Sequence, residues 1–267
     1  MASPWWRRTT GGASYQDERN SFEEALRILR SNLSVMLLDL ARPTVVFTSP
    51  NPDEGKTSIC CNLAMSFALS GSRVVLVDLD LRHPDAHRVV GGHNEFGVSD
   101  VLLHRQTLEH AIQYIRLPTP PGQAERGLYF LATGPSVANP TELLSGGRTS
   151  ELLESLGKQA DLVLIDAPPV LPVADSLVVG RMAAGAVLVT ESRTTSIDGA
   201  NKAKDLLTRN QTRLLGVVLN KFEQRDARAT FGYGYQYGYG EKPATPPPRR
   251  SSPPPSDTPR RAPRPEQ

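Results

Sequence analysis

The residues best suited to chemistry are the run Ser49-Pro50-Asn51-Pro52-Asp53-Glu54-Gly55-Lys56-Thr57-Ser58 and two apolar runs further on that each end in aspartate. Gly-Lys-Thr between a β-branched run and a helical pattern is the layout of a phosphate-binding loop. Backbone N–H groups and the positive end of the helix cradle phosphate oxygens, Lys56 reaches the outer phosphates, and the Thr57 hydroxyl can ligate Mg2+. Pro52, Asp53, Glu54, Gly55 and Ser58 complete the expected nucleotide-binding set, with Pro50 standing where the pattern has glycine. The runs Val74-Val75-Leu76-Val77-Asp78-Leu79-Asp80 and Leu162-Val163-Leu164-Ile165-Asp166 place carboxylates at the ends of two more expected strands. That is the sheet edge where ligands of open α/β folds collect, and hard oxygens there suit a cation bridging the phosphates. The second carboxylate of the Asp78/Asp80 pair admits two readings. Both can hold Mg2+ through water, or one can take the proton of an attacking hydroxyl.

A candidate for that hydroxyl lies near the end of the chain. Phe-Gly-Tyr-Gly-Tyr-Gln-Tyr-Gly-Tyr-Gly, residues 231–240, puts Tyr233, Tyr235, Tyr237 and Tyr239 on alternate positions. Glycine loses the most backbone entropy on ordering, so this is a poor strand despite its period of two. It reads either as a low-complexity tail or as a mobile arm that carries phenols to a phosphoryl donor.

The elements that must position the loop and the aspartates are legible as alternation. Short β-branched runs, Thr44 to Thr48, Arg73 to Asp78, Gly127 to Leu131, Asp161 to Asp166, Gly185 to Val189 and Leu214 to Leu219, alternate with helical patterns. This predicts an α/β fold, a mostly parallel sheet with helices on both faces. Ser21, three places before Glu24, has the spacing of a capping box and is expected to open the first helix, while Gly71 is expected to close the helix after the phosphate loop. Asp175 either caps a helix or senses nucleotide through the segment after Asp166. The expected organisation is a flexible N-terminus (1–18), a nucleotide-binding domain (19–228), the tyrosine cluster (229–240) and a Pro/Arg-rich tail (241–267).

Composition excludes several classes. Of 267 residues the net charge is +2, and much of the basic excess lies after residue 241, so no nucleic-acid-binding surface is expected. The adjacent Cys60 and Cys61 are the only cysteines and sit in an apolar helical pattern, which suits buried thiols in a reducing compartment. No apolar run reaches the length of a membrane span.

Taken together, these motifs resemble the bacterial tyrosine kinases that control capsule and exopolysaccharide synthesis, in the form whose cytoplasmic kinase is a separate polypeptide. The resemblance rests on Glu24-Ala-Leu-Arg27-Ile-Leu-Arg30-Ser-Asn32, on the run Ser49 to Thr57, and on Asp78-Leu-Asp80-Leu-Arg82-His-Pro84. It continues through Gly97-Val-Ser-Asp-Val-Leu, Gly134-Pro-Ser-Val-Ala-Asn139-Pro140-Thr-Glu142, Ile165-Asp166-Ala-Pro168-Pro169, Gly216-Val-Val-Leu-Asn220 and the tyrosine cluster. It implies ATP and Mg2+ held by Lys56 and Thr57, Asp78 as the base toward tyrosine, Asp80 and Asp166 at the metal, and Asn220 near the adenine. It further implies assembly through Glu24, Arg27 and Arg30 into a ring, in this family an octamer, with phosphorylation of Tyr233, Tyr235, Tyr237 and Tyr239 in trans. A membrane-embedded activator that holds the kinase at the inner face of the cell membrane, and an opposing tyrosine phosphatase, are the partners it implies. Deviant phosphate-loop ATPases of the MinD/ParA type share the fold but carry a second signature lysine where Asn51 stands. A partner-positioning ATPase and a non-catalytic nucleotide-binding scaffold are the competing readings.

Overall fold

The computed structural model describes residues 13–40 and 43–222. In chain order the elements are α1 (Ala13–Met36), β1 (Thr44–Thr48), α2 (Lys56–Leu69), β2 (Val74–Asp78), α3 (Ala86–Val90), α4 (Val98–Leu102), α5 (Leu108–Ala111) and β3 (Ile112–Leu117). There follow β4 (Arg126–Leu131), α6 (Pro140–Ser145), α7 (Gly147–Gln159), β5 (Leu162–Asp166), α8 (Asp175–Gly180), β6 (Gly185–Glu191), α9 (Ile197–Arg209) and β7 (Leu214–Asn220). One sheet carries the strands in the order β3-β4-β2-β5-β1-β6-β7, and every neighbouring pair is parallel except β3 with β4.

Strands β1, β2 and β5 are buried at every residue, because helices cover both faces, and this is why they read as continuous apolar runs without alternation. One core lies on the α1, α2 and α3 side, where Leu33, Phe47, Leu63, Leu76 and Leu164 interlock. The other, on the opposite face, joins Val46, Val77, Ile165, Leu153, Leu156 and Leu207. Cys60 and Cys61 are buried free thiols in the first core, and burial pushes both well above the usual thiol range.

The six expected strands all form. β3 is the one that was missed. It is antiparallel, at the sheet edge, and half-solvated with polar residues at Gln113 and Arg116, so its pattern matched neither a buried strand nor a helix. Gly71 ends α2 as expected. At φ +104° it lets its own N–H reach Ala68 O (3.0 Å) and the Ser72 N–H reach Phe67 O (3.2 Å), the paired bonds of a Schellman closure. The expected start at Ser21 is corrected: α1 begins at Ala13, within the stretch read as flexible, and runs through Ser21. The Ser-x-x-Glu spacing also occurs inside helices, and Gln16, Glu18 and Arg19 are adequate helix formers upstream. Among the described residues no helix is long and apolar enough to cross a membrane. The four cluster tyrosines and the Pro/Arg-rich tail lie outside the described residues.

Candidate active site

Parallel pairing brings the chemistry together. β2, β5 and β1 are consecutive in the sheet, Asp78 is in register with Asp166, and Asp166 is in register with Phe47 near the end of β1. The loop after Thr48 therefore rises beside both aspartates, at the carboxyl edge. Its turn into α2 is made by Gly55, in the left-handed region at φ +93°. A Cβ built there would lie 2.1 Å from Asn220 Nδ2, so only glycine fits beneath that side chain.

Lys56 is buried at the start of α2. Its Nζ donates to Asp80 Oδ2 at 2.8 Å, lies 3.7 Å from Asp166 Oδ1, and is 3.2 Å from Thr57 Oγ1. Burial by itself would push the ammonium down, but Asp166, Asp80 and Asp78 outweigh it and hold Lys56 above its ordinary range. Asp78, Asp80 and Asp166 are 0 %, 2 % and 1 % exposed. Asp78 Oδ1 accepts the Asp80 N–H at 3.0 Å and Oδ2 accepts the Ala86 N–H at 3.2 Å, so this carboxylate folds the loop that carries Asp80. Burial, and next the charge on Asp166, push the Asp78 carboxyl well up.

Asp166 differs from its neighbours. Neither carboxylate oxygen has a hydrogen-bond donor, although the group is buried. Burial raises it, Lys56 and then Thr57 pull it back, and the balance leaves its pKa at about 6. A buried, unpartnered carboxylate facing a lysine and a threonine hydroxyl is costly unless a cation completes it. Thr57, Asp80 and Asp166 thus supply hard oxygens that fit Mg2+. Among the described residues no group of three His, Cys, Asp or Glu can hold a metal alone. Mg2+ keeps few protein ligands and takes the rest from phosphates and water.

The remaining expected contacts divide. Pro52 and Asp53 are exposed on the loop, and Ser58 is half-buried in the first turn of α2. Glu54 is buried, and its carboxylate is engaged within the protein. Its Oε2 accepts the Asn51 N–H at 3.0 Å, and its Oε1 accepts the Thr195 hydroxyl at 2.6 Å. Asn220 Nδ2 donates to Glu54 O at 2.9 Å, and Lys221 Nζ bridges Asp53 O at 3.0 Å and Glu191 at 2.8 Å. The loop is therefore braced from the β6 and β7 side, and Thr195, Glu191 and Lys221 are functional neighbours that no local motif announced. Two others were also missed as a unit. Arg82 Nε donates to Asp175 Oδ2 at 2.8 Å, its Nη2 reaches Asp175 Oδ1 at 3.2 Å and Thr141 Oγ1 at 2.9 Å, and Asp175 is fully buried. Asp175 opens α8, but its partner is Arg82, with Thr141 also donating to it.

The candidate assembly residues lie elsewhere. Glu24 and Arg27 form an exposed pair along α1. Arg30 Nη1 donates to Ser66 O at 2.9 Å, which pins α1 to α2 about 15 Å along that helix from Lys56.

Residues 45–234 match the CobQ/CobB/MinD/ParA nucleotide binding domain. The chain is 36% identical over 219 residues to the tyrosine-protein kinase YwqD of Bacillus subtilis, covering 82% of this chain and 86% of that one. It is 31% identical to the tyrosine-protein kinase Wzc of Salmonella typhimurium, but spans only 29% of its length. The kinase domain of the Escherichia coli tyrosine kinase ETK superposes with TM-score 0.67 at 29% identity, over 81% of this chain and 80% of that one. Sequence, fold and the Lys56, Asp80 and Asp166 centre agree, and the chain belongs to the bacterial tyrosine-kinase family within the CobQ/CobB/MinD/ParA nucleotide-binding fold.

Proposed function

We propose that this protein is an ATP-dependent protein-tyrosine autokinase of a capsule or exopolysaccharide system. Its acceptors are Tyr233, Tyr235, Tyr237 and Tyr239, presented to the site of another copy in a ring. The observation that carries the reading is one buried lysine hydrogen-bonded to Asp80 and 3.7 Å from Asp166, whose own oxygens accept no hydrogen bond, at the foot of a phosphate loop. This centre is built to receive a polyphosphate and a cation.

Lys56 Nζ leaves Asp80 for the outer phosphates, which frees Asp80 Oδ2. Asp80, Asp166 and Thr57 would hold Mg2+, which supplies charge neutralisation at the transferring group. The tyrosine oxygen forms a bond to the γ-phosphorus, the bond from that phosphorus to the ADP oxygen breaks, and the phenol proton passes to Asp78. Burial and Asp166 raise the proton affinity of Asp78, and Lys56 counters them in favour of the ionised form that accepts the proton. Glu54, Asn220, Thr195 and Lys221 hold the loop still, so that little is left to reorganise at the moment of transfer.

From Asn220 to Tyr233 the chain spans about 13 residues, or about 45 Å extended, enough to reach a neighbouring copy. Each phosphotyrosine adds about 1.5 to 2 negative charges, so four add roughly 6 to 8, and a charged arm is repelled from the carboxylate-lined site. Ring assembly through Glu24, Arg27 and Arg30 and dispersal on phosphorylation follow. A membrane partner that activates the kinase and holds it at the inner face of the membrane belongs to the same proposal. A tyrosine phosphatase resets the cycle. Asn51, where partner-positioning ATPases carry a second lysine, is neutral and donates back to Glu54, which favours the kinase.

Purified protein incubated with labelled ATP and Mg2+ tests the reading. Label on tyrosine that disappears in Lys56→Met is expected. Free phosphate without phosphotyrosine would identify an ATPase, and neither product would leave a scaffold.

A further inference from the structure

Asp175 has no part in the chemistry above, yet its carboxylate is fully buried and engaged on both oxygens. Arg82 donates to each of them, Nε to Oδ2 at 2.8 Å and Nη2 to Oδ1 at 3.2 Å. Thr141 donates its hydroxyl to Oδ1 and accepts Arg82 Nη2 at 2.9 Å, which closes a knot of these residues. Its members lie on the segments that follow β2, β4 and β5, which are neighbours in the sheet in the order β4-β2-β5. β2 and β5 end in Asp78 and Asp166, so the knot lies on the catalytic edge.

What the knot restrains is the loop 79–85, which carries Asp80. Apart from the local pair of Asp85 with Arg88, two side chains of this loop hydrogen-bond outside it among the described residues: Asp80 to Lys56 at 2.8 Å, and Arg82 to the knot. The first tie is given up when Lys56 moves to the outer phosphates. Arg82 is then the side-chain hydrogen-bonded tie that remains, beside the buried Leu79 and Leu81. On its other side, Asp175 ends a segment laced to the phosphate loop. Val170 N–H donates to Ser49 O at 2.8 Å, Leu171 N–H to Pro50 O at 3.2 Å, and the Thr48 hydroxyl to Pro168 O at 2.7 Å. The knot therefore fixes Asp80 relative to the loop that would hold the nucleotide.

We propose, resting on the kinase reading, that Thr141 and Asp175 are positioning residues of the transfer site, acting through Arg82 to keep Asp80 beside Asp166 once Lys56 has left. Arginine suits the task, because its planar fork engages Asp175 and Thr141 together and is already fixed before any ligand arrives. Burial of Asp175 stiffens the pair, since water does not compete for its oxygens. Asp80 follows any shift of Arg82 closely. It stands two residues before it, and its Oδ1 accepts the His83 N–H at 3.0 Å on the other side. A misplacement of about 1 Å at such a group can cost roughly a hundredfold in rate.

The test uses the full chain and compares Thr141→Val, which loses the hydroxyl and keeps the shape, with Thr141→Ser, which keeps the hydroxyl. Titration with fluorescent ADP, in EDTA and then in Mg2+, gives the factor by which Mg2+ tightens binding. Thr141→Val is expected to bind ADP in EDTA within about twofold of the native protein, while its Mg2+ factor falls about fivefold or more. Thr141→Ser is expected to restore that factor, and Asp175→Asn to repeat the loss. In an Asp80→Asn background, adding Thr141→Val is expected to change the factor no further, because the knot acts through Asp80. At saturating ATP and Mg2+, tyrosine labelling by Thr141→Val is expected to fall about tenfold or more. An unchanged Mg2+ factor overturns the proposal, as does a parallel loss of affinity in EDTA. So does a Thr141→Ser variant as impaired as Thr141→Val, or an additive loss in the Asp80→Asn background. If the Mg2+ factor responds as expected but the native protein never labels tyrosine, the knot keeps its hold on Asp80 and the kinase reading falls by itself.

Discussion

Asp166→Asn offers the sharpest separation of stability from function. The folded protein holds this carboxyl at about 6, against an ordinary 3.8, chiefly because it is buried. A raised carboxyl destabilises the fold wherever it must be charged. The difference, 6 − 3.8 = 2.2, corresponds to about 3 kcal/mol, fully present above pH 6 and lost as the pH falls through 6 toward 4. Asparagine keeps the shape and carries no charge, and Lys56 retains Asp80 at 2.8 Å. Free of nucleotide and Mg2+, the variant is therefore expected to be more stable at pH 8 by about 3 kcal/mol, or about 6 to 12 °C in Tm for a domain of this size. At pH 5 the gain shrinks to roughly half, and near pH 4 little remains. Mg2+ adds to the rise in Tm that ADP gives the native protein, and that added rise is expected to be lost in the variant. The assay is thermal unfolding followed by circular dichroism across that pH range, with and without ligand. A variant no more stable than the native protein at pH 8, or a gain independent of pH, would refute the argument that Lys56 and Thr57 compensate the buried Asp166 charge only in part.

Three further outcomes follow from the same contacts. Asn220→Ala removes the 2.9 Å bond to Glu54 O, worth about 1 kcal/mol, so ADP affinity measured by fluorescence titration falls about fivefold. Gly55→Ala meets both a left-handed φ and the Asn220 side chain, and a larger loss of affinity than Asn220→Ala is expected; an equal or smaller one contradicts the packing. Asp175→Asn deprives Arg82 of its buried partner and is expected to cost about 2 to 3 kcal/mol in urea denaturation, less than a fully buried pair because Arg82 is partly exposed. An intact denaturation midpoint would show that Thr141 alone suffices to hold the guanidinium.

The sequence by itself determined the architecture near the site. Strands buried on both faces must be apolar throughout, Gly-Lys-Thr after such a strand has few other uses, and Gly71 closes α2 because only glycine takes that backbone angle cheaply. Lys56, Asp78, Asp80 and Asp166 were legible because each sits at a strand end or helix start, and parallel topology gathers those ends along one edge. Local signals failed where a pattern had two meanings. Ser21 and Glu24 fit a cap and a helix interior equally well, and β3 is too polar to show as a buried strand.

Tertiary structure alone decided what surrounds those residues. The Glu54 side chain braces the phosphate loop, because Thr195, 141 residues away in sequence, supplies its donor. Asp175 and Arg82 are 93 residues apart and become one ion pair only when α8 packs beside the loop after β2. Which carboxylate is left without a donor also depends on the fold. Asp78 and Asp80 accept backbone N–H groups from their own loop, while Asp166 has none within reach. Spacing along the chain fixes which groups stand at the edge, but burial and long-range partners set the charge each one carries.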